Sequence, residues 1–190
     1  DSDKETVLIQ VMEVGNQAPI FAAVSPQETT EQVLLRFSLM ATDPDGSIPA
    51  ITAPSLPSGA VLSDSGNGAA AFGWIPGFNQ AGVYDIMFIA GDGSLADTVI
   101  VTVTVLDAGN QMPNMDAVAD VSTTETRIIT FTVTSSDPDS VVPILSTSAL
   151  PGTATFVDNG DYTGTFEWQT GYADAGTYSI TFYATDADDA

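Results

Sequence analysis

Gly15-Asn16-Gln17-Ala18-Pro19 returns as Gly109-Asn110-Gln111-Met112-Pro113, a shift of 94 from position 16 to position 110. The same shift carries Asp43-Pro44-Asp45 onto Asp137-Pro138-Asp139, Leu56-Pro57 onto Leu150-Pro151 and Phe72-x-Trp74 onto Phe166-x-Trp168. It also carries the run from Ala81-Gly82-x-Tyr84 to Asp92 onto the run from Ala175 to Asp186. A fixed period means one structural unit made twice, and it constrains the architecture before any single residue does.

Within a period the pattern is that of strands. Val33, Leu35, Phe37 and Leu39 alternate with Leu34, Arg36 and Ser38, which predicts a half-buried strand. Phe72 and Trp74 share one face of another strand, and Tyr84, Ile86, Phe88 and Ala90 share a third. Val99 to Val105 give the last. Asp43-Pro44-Asp45-Gly46, Leu56-Pro57-Ser58-Gly59 and Asp64-Ser65-Gly66-Asn67-Gly68 are turns by composition, Pro fixing φ and Gly or Asp tolerating tight conformations. No long stretch has a 3.6-residue period, so almost no helix is expected. Many short strands in a unit of this size predict an all-β chain of two tandem immunoglobulin-like antiparallel β-sandwiches. Tyr84, after Ala-Gly, stands where a tyrosine corner would fall, and Trp74 and Trp168 are expected in the core rather than as sugar platforms.

The first residues belong to the same pattern. Val7, Ile9 and Val11 alternate with Leu8, Gln10 and Met12 and, shifted by the period, fall on Val101, Val103 and Val105. The expected organisation is 1–14 as a last strand, either of a preceding repeat or donated to a neighbouring subunit, then 15–108 as repeat one and 109–190 as repeat two lacking its own last strand. The two ends are in register. That predicts head-to-tail donor-strand assembly, or else a segment sliced from a longer array. A strand of about ten residues spans roughly 33 Å, too short for the chain to fill its own vacancy if the repeats stack end to end.

Composition narrows the partners. The formal charge is −22, with 25 acidic residues against Lys4, Arg36 and Arg127. Nucleic acid and anionic membrane surfaces call for basic patches, so neither is expected as a partner. No apolar run reaches the roughly 18 residues of a membrane span. There is no cysteine and no histidine, which removes disulfides, a thiol nucleophile and the usual general base. Carboxylate pairs alone arise by chance among so many acids, so no enzymatic activity is expected. With Lys4 the only lysine, a lysine–asparagine crosslink is not expected either.

Taken together, Asn-x-x-Pro, Asp-Pro-Asp-Gly, Leu-Pro-x-Gly-Ala, Phe-x-Trp-x-Pro and Ala-Gly-x-Tyr-x-Ile-x-Phe-x-Ala-x-Asp-Gly resemble the Ig-like and dystroglycan-type cadherin-like repeats of large bacterial and archaeal surface proteins. The resemblance covers nearly the whole chain. It implies an extracellular, cell-surface setting and a calcium-linked rod of repeats. Repeat two departs from it where Gly46 becomes Ser140, Pro76 becomes Thr170 and Gly93 becomes Ala187.

In such a sandwich the B–C turn, the F–G turn and the start of strand A share one end. That topology collects Asn16, Asp43, Asp45 and Asp92 at one pole, and Asn110, Asp137, Asp139 and Asp186 at the equivalent pole of repeat two, with Asp107 just before the joint. Two carboxylates about 4 Å apart repel by about 4 kcal/mol at an effective dielectric near 20. A hard cation reverses that penalty, and Ca²⁺ takes six to eight oxygen ligands of this mixed kind. The alternative is a solvated acidic turn in which Asp caps its own backbone. The function expected is a calcium-stiffened structural rod or filament segment whose partners are copies of itself or neighbouring repeats. An adhesive or carbohydrate-binding module is the alternative, to be judged by exposed aromatics at Phe78, Tyr162 and Tyr172.

Overall fold

A computed structural model of the chain describes residues 1–13 and 15–186. Val14, at the end of the opening segment, and residues 187–190, with the Ala187 change and the Ala190 terminus, lie outside the described residues. The described elements are all strands, and the chain divides into two compact units, Asp1–Asp107 and Ala108–Ala190.

Unit 1 holds β1 (Ile20–Phe21), β2 (Gln27–Thr30), β3 (Leu35–Thr42), β4 (Ala50–Thr52), β5 (Val61–Asp64), β6 (Ala69–Trp74), β7 (Gly82–Gly91) and β8 (Ala96–Leu106). One sheet has the order β1-β3-β6-β5 and the other β2-β8-β7-β4. Lettered along the chain, these are the A-B-E-D and A′-G-F-C sheets of the immunoglobulin sandwich. Alternation explains the elements. β8 is a run of Val, Ile and Thr, residues that suit a pleated surface, and its alternation puts Val101, Val103 and Val105 inside. It pairs antiparallel with β7 from Gly82↔Val105 to Gly91↔Ala96, and parallel with β2 from Gln27↔Val103 to Thr30↔Leu106. β8 therefore closes the sheet and ties both ends of the unit together.

The core lies between the sheets. Phe37 and Phe72 stack at 4.8 Å, and Phe88 meets both edge-on at 6.0 and 5.9 Å. Each fully buried side chain of this size contributes about 1.5–3 kcal/mol. Trp74 is buried at the foot of β6, its indole N–H donating to the Ser58 carbonyl at 3.0 Å. Tyr84 packs edge-on against it at 4.9 Å and donates its hydroxyl proton to the Gln80 carbonyl, 2.9 Å away, so the tyrosine corner is present.

Unit 2 holds β9 (Asn114–Met115), β10 (Ile128–Ser136), β11 (Ile144–Thr147), β12 (Thr155–Asp158), β13 (Thr163–Gln169) and β14 (Phe182–Thr185). The sheet β12-β13-β10-β9 reproduces β5-β6-β3-β1, whereas among the described residues the second sheet has β11 and β14. The core is kept by compensation. Leu62 and Ala70 of unit 1 become Phe156 and Gly164, and a Cβ on Gly164 would lie 2.3 Å from the Phe156 ring. Phe131 stacks on Phe166 at 4.8 Å, Trp168 is buried, and Tyr178 repeats the corner with a 3.2 Å bond to the Asp174 carbonyl.

One expectation needs correction. Val33 is not in the strand. It sits in a turn after Gln32, which has φ 60°, and is exposed, because the pairing with β6 begins only at Leu35↔Trp74. Residues 1–13 pair with no strand of this chain, and Val7, Ile9 and Val11 are exposed; the strand expected there is one that pairs only with a preceding repeat or a neighbouring subunit. A strand exists by its ladder, and alternation without a partner does not make one. Repeat two's changed B–C turn, in contrast, keeps its form. Ser140 takes φ 63° where Gly46 has 82°, and each donates its N–H to the Asp three residues back.

Candidate cation-binding poles

The B–C turn leaves β3 at Thr42, the F–G turn leaves β7 at Gly91, and the segment before β1 passes both. Asp-Pro-Asp-Gly makes the first turn tight, with the Asp45 N–H donating to Asp43 Oδ1 at 2.8 Å. This leaves Asp45 free to reach the entering chain, where its Oδ2 accepts the Gln17 N–H. Asn16 Nδ2 donates to Asp92 Oδ2 at 2.7 Å. Asp92 Oδ1 caps its own turn, accepting Ser94 and Leu95 N–H at 2.7 and 2.8 Å. These bonds hold the Asp92 carboxyl below the ordinary aspartate range, the Leu95 amide most, then Ser94, then Asn16.

The second pole repeats the first. Asn110 Nδ2 donates to Asp186 Oδ2 at 3.0 Å, Gln111 N–H to Asp139 Oδ2, and Asp139 N–H to Asp137 Oδ1 at 2.8 Å. The structure thus brings Asn16 to Asp92 and Asp45 to the chain beside Asn16, and it does the same with Asn110, Asp186 and Asp139. It does not draw the carboxylates into a preformed centre. Among the described residues no three acidic side chains gather as metal ligands would. Asp107 is exposed just past β8.

One feature of the poles is unspent. Asp43 Oδ2, Asp137 Oδ2 and Asp186 Oδ1 are buried without a hydrogen-bond partner, and Asp186 is only 2% exposed. A buried acceptor left unpaired costs about 1–3 kcal/mol, more when charged. Oxygen-only donors with spare lone pairs fit a hard cation such as Ca²⁺, and the residues present pass that test.

Other acids are committed to the fold, in roles that the sequence did not reveal. Asp64 and Asp158 each bridge the next turn and a neighbouring strand, Asp64 to Gly66 and Ile51, Asp158 to Gly160 and Leu145. Asp97 Oδ2 accepts Phe21 N–H at 2.9 Å and fastens β1 to the start of β8. Glu31 is buried and accepts the Gln80 and Ala81 amides at 2.8 and 2.7 Å. The Asp-x-Gly spacing at 64 and 158 was a usable signal for a turn-capping aspartate; Glu31 had none. Of the three aromatics named as platform candidates, only Tyr172 is exposed. Phe78 is half-buried, and Tyr162 is tied through its hydroxyl to the Ser140 carbonyl at 2.8 Å.

Fold and site together define a tandem immunoglobulin-like β-sandwich protein with an acidic pole on each unit. No protein family matches the sequence, and no curated protein does. Among solved structures the chain is similar to an endo-fucoidan hydrolase from glycoside hydrolase family 107, with 18% identity and a TM-score of 0.49 over 93% of this chain and 28% of that one. It is also similar to the SrpA adhesin from Streptococcus sanguinis (13% identity, TM-score 0.44, 68% and 90% covered) and to titin Ig tandem domains (11%, 0.35, 91% and 97%). The chain spans 28% of the hydrolase's length. All three scores are low, and the fold assignment rests on the strand order given above. Among the described residues no helix is long and apolar enough to cross a membrane.

Proposed function

We propose that the chain is a structural segment of a cell-surface protein built from cadherin-like repeats, and that Ca²⁺ stabilises the acidic pole of each unit. One observation carries this reading: the same buried carboxylate oxygen is left unpartnered in both units, at Asp43 and at Asp137. Asn16, Asp43, Asp45 and Asp92 would hold the ion in unit 1, and Asn110, Asp137, Asp139 and Asp186 in unit 2. Asp107 lies just past β8, before the second pole, and completes the proposed set. The ion supplies charge compensation; the chain's own residues orient the loops, through the Asn16–Asp92 and Asn110–Asp186 bonds.

Calorimetric melts with calcium and with a chelator test the proposal. A weak extracellular site has a Kd on the order of 10⁻³ M, so about 10 mM Ca²⁺ adds about 1.4 kcal/mol to each unit. Asp43→Asn is expected to abolish the gain in unit 1 alone, and Asp137→Asn in unit 2 alone. Midpoints that ignore calcium in the unaltered chain overturn the reading. An adhesive or carbohydrate-binding role is favoured by one residue, Tyr172, which is 88% exposed. Glycan binding that disappears in Tyr172→Ala would establish it.

A further inference from the structure

Four places in the chain put an Asn or Asp directly before a glycine: Asp45-Gly46, Asn67-Gly68, Asp92-Gly93 and Asn159-Gly160. A glycine nitrogen meets little obstruction in reaching the side-chain carbonyl carbon of the residue before it, because no Cβ stands in the way. Ring closure there gives a five-membered succinimide. It needs a side chain free to turn, a glycine N–H free to lose its proton, and an electrophilic carbon, which an ionised carboxylate does not offer.

The fold blocks three of the four. The Gly46 N–H is held by the Asp43 carbonyl at 3.1 Å, and Asp45 Oδ2 accepts the Gln17 N–H. Asp92 engages both oxygens, Oδ1 with the Ser94 and Leu95 amides and Oδ2 with Asn16. Asn159 Nδ2 donates to the Thr163 and Thr165 hydroxyls at 2.8 and 3.2 Å, and the Gly160 N–H donates to Asp158 Oδ1 at 3.0 Å. Asn67 is the exception. It is exposed, and among the described residues neither its Nδ2 nor the Gly68 N–H donates to any group. Its one side-chain bond favours closure. Asn67 Oδ1 accepts the Ala69 N–H at 3.2 Å, and the ring that this bond closes passes through the Gly68 nitrogen, so the carboxamide is folded back over its attacker. The same N–H faces the oxygen on which negative charge develops.

Nor can the fold part with the glycine. Gly68 is buried against Ala41 and Pro49, has φ 78°, and a Cβ on it would lie 2.6 Å from the Ala41 carbonyl oxygen. Its own carbonyl accepts the Ala41 N–H at 2.8 Å, which fastens the turn between β5 and β6 to β3, two residues before Asp43.

We propose that Asn67 is a self-modification site, converting through a succinimide to aspartate and isoaspartate in the folded chain while Asn159 is protected. The Gly68 nitrogen loses its proton to water or hydroxide and bonds to Asn67 Cγ. The Cγ–Nδ2 bond breaks, and the side-chain nitrogen takes a proton from solvent and leaves as ammonia. Water then opens the ring. Attack at Cγ restores the ordinary backbone with an aspartate; attack at the main-chain carbonyl leaves the backbone running through Cβ and Cγ, longer by one methylene. Either product adds a negative charge, and the second displaces the Gly68 carbonyl from Ala41, so unit 1 alone ages. No step requires a bound cation, and the chemistry stands apart from the function proposed above.

Peptide mapping by mass spectrometry, after incubation of the intact chain in heavy-oxygen water, tests this. Each conversion replaces the amide by an acid carrying one solvent oxygen, and an isoaspartyl methyltransferase detects the rearranged product. In denaturant the two Asn-Gly pairs are expected to convert at similar rates. In the folded chain Asn67 is expected to convert at least about tenfold faster than Asn159, because each bond that must break first slows closure by about that factor. Asn67→Gln, which could close only a less favourable six-membered ring, is expected to stop label entry at 67 and, at an exposed position, to leave the fold intact. The unit 1 melting midpoint of the unaltered chain is expected to fall with incubation, while that of Asn67→Gln holds. Conversion of Asn67 in the folded chain no faster than that of Asn159 overturns the proposal. So does a unit 1 midpoint that stays put as Asn67 converts, or that falls equally in Asn67→Gln.

Discussion

Each unit has a single tryptophan, and the two are placed alike except for one hydrogen bond, which makes them a controlled pair. Trp74 and Trp168 are both buried, at 1% and 5% exposure, and each has a tyrosine edge-on at 4.9 Å. Trp74 donates its indole N–H to Ser58, whereas Trp168 Nε1 is buried with no partner. Truncation to alanine removes the ring from either site and is expected to cost about 3–5 kcal/mol. Replacement by phenylalanine separates the two. The lost volume is the same, so the cavity penalties nearly cancel between units. Trp74→Phe also loses a hydrogen bond worth about 1 kcal/mol, and the Ser58 carbonyl stays satisfied by Gln80 Nε2 at 3.3 Å. Trp168→Phe removes an unpaired buried donor and so recovers about 1–3 kcal/mol. Trp74→Phe is therefore expected to be the more damaging by about 2–4 kcal/mol. In a unit of this size that is a difference in midpoint on the order of 10 °C. Scanning calorimetry reads both transitions, and the tryptophan left in each variant identifies the unaltered unit by fluorescence. Equal shifts, or a larger shift from Trp168→Phe, refute the reasoning.

The Asp92 carboxyl titrates below the ordinary aspartate range because amides and Asn16 favour its charged form. A depressed folded pKa contributes stability that is present above the unfolded value near 4 and is lost as pH falls through the folded one. The stability gap between the unaltered chain and Asp92→Asn is thus expected to close on acidification below about pH 4 in unit 1 melts, and a gap that widens there contradicts the assignment. Ser140 and Gly46 occupy the same left-handed turn position, with nothing within 4 Å of a Cβ on Gly46. Ser140→Gly is expected to stabilise unit 2, and Gly46→Ser to destabilise unit 1, each by about 1 kcal/mol. Denaturation midpoints that move together rather than in opposite directions count against a backbone origin.

The sequence carried the period, the face shared by Phe72 and Trp74, the tyrosine corner and the meeting of the two acidic turns with the entering chain. All of these follow from spacing, since alternation fixes a face and sheet topology fixes which loops share an end. Strand limits were less legible. Val33 continues the alternation of Leu35 and Leu39 but lies outside β3, because the left-handed Gln32 before it belongs to a turn. Residues 7–11 alternate as well as β8 does and yet pair with no strand of this chain, because a ladder is a property of two segments and the pattern describes one. The acids show the same limit more sharply. Asp43, Asp64, Asp97 and Asp137 read alike in a chain of net charge −22. In the structure Asp64 and Asp97 engage both carboxylate oxygens with backbone amides, so each serves as a fastener between strand and turn. Asp43 and Asp137 engage one oxygen and bury the other unpaired. Spacing can bring a carboxylate to a pole. Whether its second oxygen is spoken for depends on which amides the surrounding loops leave pointing at it, and that separates a turn-capping acid from one with an oxygen to spare.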